Sequence, residues 1–482
     1  MRRAVVVALA TAALALTTIG TAAGAQPRLQ DRDCGVLLPS GLEATCYWLI
    51  VPEDRARPKV ATVKLAVMVV HSRSASPEPD PVVFLSGGPG DPGIEGFENF
   101  VDSPMLENRD LVLFDQRGTG VSEPSLDCPE VADARVADFR HPDAHDVELD
   151  RVRDAMRACR ERLVDDGVNL DAYDTVANAA DVADLRIALQ LDEWNLYGIS
   201  YGTRLALETM RSHPEGIRTA VLDSVYPPGR RGVDVYVTGV DDAFERLVAA
   251  CNADESCASL QSNLDELIQQ VVDRYNRSPV DLAIADGEQL VVTGEDIVAG
   301  LWDAMYDSEI IPALPSVIQA LASGDTSILS VFADEALSDD PSEGVFVSME
   351  CADNGATRRD VKLAQDPGRA AVVVRYAAEP YCAVWNVDRV AASFRRPVRS
   401  RIPTVVFAGS LDPVTPASDS ERAANALRSA VYVELAGYGH VVTKVSDCAR
   451  TMRQEFLDDP DGDLDISCAS APAPAFLSQR QI

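Results

Sequence analysis

Histidine is scarce in this chain: His71, His141, His145, His213 and His440 are the five among 482 residues. So few imidazoles, with no Cys-x2-Cys spacing, argue against a structural zinc site and leave few candidates for a histidine base. Positive charge is also short. Lys and Arg total 43 against 76 Asp and Glu, for a net charge of −33. A surface this acidic repels nucleic acid and anionic lipid; it suits solubility in an extracellular or saline medium. Beyond the N-terminal segment there is no apolar run of membrane-spanning length, so stable membrane insertion is not expected. No internal repeat is evident, and nothing calls for a metal or another cofactor.

What is present begins with a processing signal. Arg2 and Arg3 precede an apolar run from Ala4 to about Gly20, and Ala23-Gly24-Ala25 offers a small-residue cleavage site, so residues 1–25 read as a signal peptide of a secreted protein. The ten cysteines fit export, because oxidising compartments let disulfides persist. They fall into sequence-local pairs, and sequential pairing is the expectation: Cys34–Cys46, Cys128–Cys159, Cys251–Cys257, Cys351–Cys382 and Cys448–Cys468.

Apolar runs with β character recur at 46–51, 63–70, 82–85, 111–114, 194–197, 220–222, 404–407 and 431–433. Several are continuous rather than alternating, as strands buried on both faces require. Helical patterns lie between them, at 147–163 and 178–189 among others. This alternation predicts an α/β fold with a mostly parallel central sheet flanked by helices. From about Gly229 to Ser400 helical segments dominate (240–251, 264–275, 296–306, 315–322), with a hairpin turn signal at Asp286-Gly287 and a capping box at Thr293-Gly294-Glu295-Asp296. The expected organisation is a core at 26–229 and 401–482, interrupted by a helical lid at 230–400.

Gly198-Ile199-Ser200-Tyr201-Gly202 stands between a strand-like run and a helical one. A serine between two glycines at such a junction is the nucleophile elbow of α/β-hydrolases. Its hydroxyl needs a base, and the base needs an acid to orient it. In chain order the base comes last, which leaves His213 and His440. His213 comes too soon, at the end of the elbow helix, whereas His440 follows a strand in a glycine-rich loop. Asp412, just past the run at 404–407, is the expected acid. Its neighbour Asp419 reads instead as an N-cap. The oxyanion amides are expected from Tyr201 and from Gly88, within Ser86-Gly87-Gly88-Pro89-Gly90.

These segments, with Asp115-Gln116-Arg117-Gly118-Thr119-Gly120, Asp412-Pro413-Val414-Thr415-Pro416 and Gly437-Tyr438-Gly439-His440, resemble the signatures of the proline iminopeptidase and tripeptidyl aminopeptidase group of α/β-hydrolases. The tail around Cys468 resembles that of its secreted branch. Ser86 departs from the histidine many members carry there, and Asp115 and Arg117 read as structural. The resemblance implies a serine aminopeptidase acting on peptides with free N-termini. It also implies an acid from the lid to meet the substrate ammonium, for which Glu350 and Asp353 are candidates. An ester hydrolase of the carboxylesterase or lipase type is the alternative on the same fold. Oligomeric state is not legible.

Overall fold

The computed structural model describes residues 27–140, 143–260, 263–283, 289–329, 342–365, 373 and 377–477. The signal-peptide segment, His141 and the Asp286-Gly287 turn lie outside them. Among the described residues, seven strands precede residue 224: β1 (Arg28–Asp31), β2 (Ala44–Pro52), β3 (Thr62–Val70), β4 (Val82–Leu85), β5 (Leu111–Phe114), β6 (Trp194–Ile199) and β7 (Ile217–Asp223). A small antiparallel pair, β8 (Val280–Ala283) and β9 (Gln289–Val292), stands apart. The main sheet is completed by β10 (Thr404–Gly409) and β11 (Ala430–Leu435).

The nine strands run in the order β1-β2-β3-β5-β4-β6-β7-β10-β11. From β5 to β11 every pairing is parallel, and β1 to β3 add an antiparallel edge. The continuous apolar runs account for this: β4 and β5 are buried at every position, as strands covered by helices on both faces must be. On one face, the helices Thr175–Ala188 and Tyr201–Ser212 pack on each other and join a core that includes Leu85, Leu196 and Leu222. On the other, Met452, Phe456 and Leu457 of the helix Asp447–Asp458 meet Val405, Phe407 and Phe84.

The chain between β7 and β10 holds the helices Gly239–Ala253, Leu264–Arg277, Gly294–Asp303, Leu314–Ser323 and Glu343–Asp353. The Thr293 capping box forms as its residues dictate, with Thr293 and Asp296 exchanging hydrogen bonds. All ten cysteines form disulfides, in the sequential pattern: Cys34–Cys46, Cys128–Cys159, Cys251–Cys257, Cys351–Cys382 and Cys448–Cys468. Among the described residues, no helix is long and apolar enough to cross a membrane.

Candidate active site

Ser200 sits between β6 and the helix Tyr201–Ser212 at φ 51° and ψ −124°, a conformation side-chain-bearing residues seldom adopt. The flanking glycines permit it. A Cβ on Gly202 would overlap the Leu85 carbonyl oxygen, and one on Gly198 would come within 2.5 Å of the Gly202 carbonyl oxygen. The Ser200 N–H donates to the Asp223 carbonyl at 3.0 Å, which ties the elbow to the end of β7.

Asp412 and His440 meet past the ends of β10 and β11. His440 Nδ1 lies 2.8 Å from Asp412 Oδ2, leaving Nε2 free to face a hydroxyl. The Asp412 carboxylate is fully buried and also accepts from Val414 N (3.0 Å), Thr415 N (2.8 Å) and Thr415 Oγ1 (2.7 Å). Burial pushes this carboxyl upward, but the His440 charge, its hydrogen bond and the Thr415 donors outweigh burial and hold it below the ordinary range.

The His440 loop hangs on the same strand end as the elbow. Val441 N donates to Ser224 Oγ at 2.8 Å, while Val442 N and Thr443 N donate to the Asp223 carboxylate at 3.2 and 2.8 Å. Asp223 therefore braces the Ser200 elbow and the His440 loop together. Its place at a strand end was the available signal in the sequence. Ser200 Oγ makes no hydrogen bond among the described residues; such contacts often tighten only when substrate is bound. Neither the Gly88 nor the Tyr201 N–H donates to a protein group among the described residues, as an oxyanion site requires.

The chain between β7 and β10 also reaches this site. Arg246 Nη2 donates to the Asp412 carbonyl at 2.7 Å, and Ser308 Oγ accepts from Gly439 N at 2.9 Å. The Tyr306 carbonyl accepts from His440 N at 3.1 Å, and its ring meets the imidazole edge-to-face with centroids 5.1 Å apart. No pattern in the sequence distinguished these three residues.

Glu350 and Asp353 lie on the helix Glu343–Asp353, set against Arg204 of the elbow helix instead of standing open. Arg204 Nη1 is 2.9 Å from Glu350 Oε1 and 3.5 Å from Asp353 Oδ2, and all three residues are buried. Asp353 also accepts from Thr175 N and Thr175 Oγ1. Asp419 is not an N-cap: Pro416 holds that position, and the Asp419 carboxylate pairs with Arg230 and Arg422. His213 caps the elbow helix at its carboxyl end, and burial foremost holds its imidazolium down. Asp115 accepts from Ile94 N and Val121 N, and Arg117 forks onto Asp181; both are structural. A cavity lined by Asp80, Arg109, Arg218 and Asp458 opens by the amino ends of β4 and β7, where its charges pair with one another.

Residues 80–271 match the family described as alpha/beta hydrolase fold, and residues 370–468 match that described as TAP-like protein. The chain is similar to serine protease Hip1 of Mycobacterium tuberculosis, 25% identical over 82% of this chain and 81% of the relative. It is likewise similar to tripeptidyl aminopeptidase of Streptomyces coelicolor, 25% identical over 70% of this chain and 64% of the relative. A solved structure, proline iminopeptidase of Mycobacterium smegmatis, aligns at a TM-score of 0.42 and 14% identity, over 86% of this chain and 98% of that one. The chain is thus a serine hydrolase of the alpha/beta hydrolase fold, with a TAP-like region at residues 370–468.

Proposed function

We propose that the protein is an exported serine aminopeptidase, with Ser200, His440 and Asp412 as its triad. Ser200 Oγ attacks the carbonyl carbon of the scissile amide while His440 Nε2 takes its proton. The N–H groups of Tyr201 and Gly88 hold the developing oxyanion. As the C–N bond breaks, His440 returns the proton to the leaving amine; water then repeats the sequence on the acyl-enzyme. Asp412 stays ionised and orients the imidazole. The observation that carries the reading is the 2.8 Å Asp412–His440 contact, held with the strained elbow on the same strand end. The peptidase names of the two relatives support an amide substrate. In this reading residues 230–400 are the lid that shapes the cleft, and the five disulfides accord with an oxidising destination.

Two measurements test it. Ser200→Ala should lower hydrolysis of amino-acyl amides by about 10⁴- to 10⁶-fold with the thermal unfolding curve unchanged; retained turnover would remove Ser200 from its role. Mass analysis of products from a mixed peptide library should show loss from free N-termini and none from blocked ones. Turnover of short acyl esters with no attack on any peptide would overturn the aminopeptidase reading in favour of an esterase.

A further inference from the structure

The loop after β4 carries a carboxylate that this acyl-transfer scheme leaves unused. Asp91 follows Gly87-Gly88-Pro89-Gly90, and its side chain turns back over the glycines. The point that a Cβ on Gly87 would occupy lies 3.1 Å from Asp91 Oδ2, 3.3 Å from Ser200 Cβ and 3.7 Å from Ser200 Oγ. The matching point on Gly88 lies 3.2 Å from Asp91 Oδ1. Acid and nucleophile thus flank one glycine of the oxyanion loop.

That loop is held in shape from several sides. Ser86 Oγ donates to the Asp91 carbonyl at 2.8 Å, and Gln116 Nε2 lies 3.1 Å from Ser86 Oγ and 3.2 Å from Ser86 O. Ser342 N donates to the Gly90 carbonyl at 3.2 Å. The Asp91 side chain itself has no hydrogen bond or ion pair among the described residues. It is half-buried, and burial raises its carboxyl to about 6, with the His440 charge drawing it down and Glu95 pushing it up.

A lone anion here opposes the chemistry. The tetrahedral intermediate places negative charge at the Gly88 and Tyr201 amides, and a second negative charge beside them raises its energy. A substrate that brings a positive charge removes the conflict and gains a charge-assisted hydrogen bond. In a peptide, the ammonium nitrogen of the first residue is two bonds of about 1.5 Å each from its own carbonyl carbon. An acid flanking Ser200 is well placed for that nitrogen. In a tripeptidyl acyl group the ammonium lies two residues further out, about 7 Å for an extended chain.

We propose that Asp91 pairs with the α-ammonium of the very residue whose carbonyl Ser200 attacks, so that the enzyme selects free N-termini and releases one residue per cycle. This rests on the aminopeptidase reading and narrows it. Asp91 makes and breaks no covalent bond; it remains a carboxylate through both half-reactions.

Nitrophenyl esters of alanine, N-acetyl-alanine and trialanine test the assignment, because an activated ester reports on Asp91 whether or not amides are cleaved. Wild type should favour the alanine ester over both others in kcat/KM. Asp91→Asn should cut the alanine-to-N-acetyl-alanine ratio by about 10- to 100-fold, and Asp91→Glu should restore part of it. Equal loss on all three esters would make Asp91 a loop-holding residue and overturn the proposal. So would a wild-type preference for the trialanine ester that Asp91→Asn leaves in place. Should the Asn variant unfold at a lower temperature, Asp91→Ser read on the same ratio decides. Failure of the aminopeptidase reading is separable, as ester turnover without release of residues from peptides.

Discussion

The sheet and the chain inserted between β7 and β10 are built on different logics. Strands β4, β5 and β10 bury every residue, so apolar continuity alone marks them as interior strands covered on both faces. The inserted helices are mostly one-sided: Leu264, Ile268, Val271 and Tyr275 form the buried stripe of the helix Leu264–Arg277. The helix Glu343–Asp353 is the exception. It is buried along its whole length and joined to the sheet half of the molecule through the Ser342–Gly90 and Glu350–Arg204 contacts. The sheet presents the candidate nucleophile, while the insertion steadies the candidate acid and base through Arg246, Tyr306 and Ser308. An inserted region that braces the chemistry cannot be exchanged as freely as one that merely covers it.

This division can be broken first on the sheet side. Asp412→Asn should lower turnover about 10⁴-fold while leaving the unfolding transition in place, because it removes the group that orients His440; steady-state kinetics beside thermal melts check it. Gly202→Ala should lose more than about 3 kcal/mol in denaturant unfolding, since backbone rather than a side chain must move to admit the methyl group. On the insertion side, replacing Cys351 and Cys382 together by alanine opens a closure of 31 residues and should cost about 4 kcal/mol. Peptide hydrolysis should then fall further than hydrolysis of a small ester; equal losses would deny the insertion any part in substrate choice. Tyr306→Leu should reduce kcat/KM less than tenfold, the scale of one edge-to-face ring contact.

A pH series sharpens the comparison further. Asp91 is raised to about 6 in the folded state, so it is ionised above that pH and neutral below it. The kcat/KM ratio of alanine ester to N-acetyl-alanine ester should therefore fall as pH drops through about 6. His440 and Glu95 are the charged groups acting on Asp91; loss of the His440 base slows both esters alike, and the His440 charge enters the ratio only by drawing the Asp91 carboxyl down. Asp412, held below the ordinary carboxylate range, stays ionised across that window. A ratio flat from pH 5 to 8 would count against Asp91 as the amine partner.

Much of this was legible in the chain. The eight apolar runs became strands of the main sheet, and Gly198 to Gly202 became a strained turn because only glycine fits on either side of Ser200. β1 escaped notice because Arg28–Asp31 is a short, polar edge strand with little to bury. The resemblance offers Glu350 and Asp353 for the substrate ammonium, yet Arg204, far away in sequence, is their partner. Pairings of that kind depend on how an inserted segment docks, and neither periodicity nor spacing records it. Asp91 was hidden differently, inside a glycine-rich loop read only for its amides.

Asp223 has a consequence for assembly. Its carbonyl holds the elbow and its carboxylate holds the loop that follows His440, a residue that comes after β11. A polypeptide cut before that loop would keep the elbow strand and lack the proposed base, which comes after β11 and fastens to the end of β7. On the proposed triad, reactivity thus waits until the loop after β11 is in place.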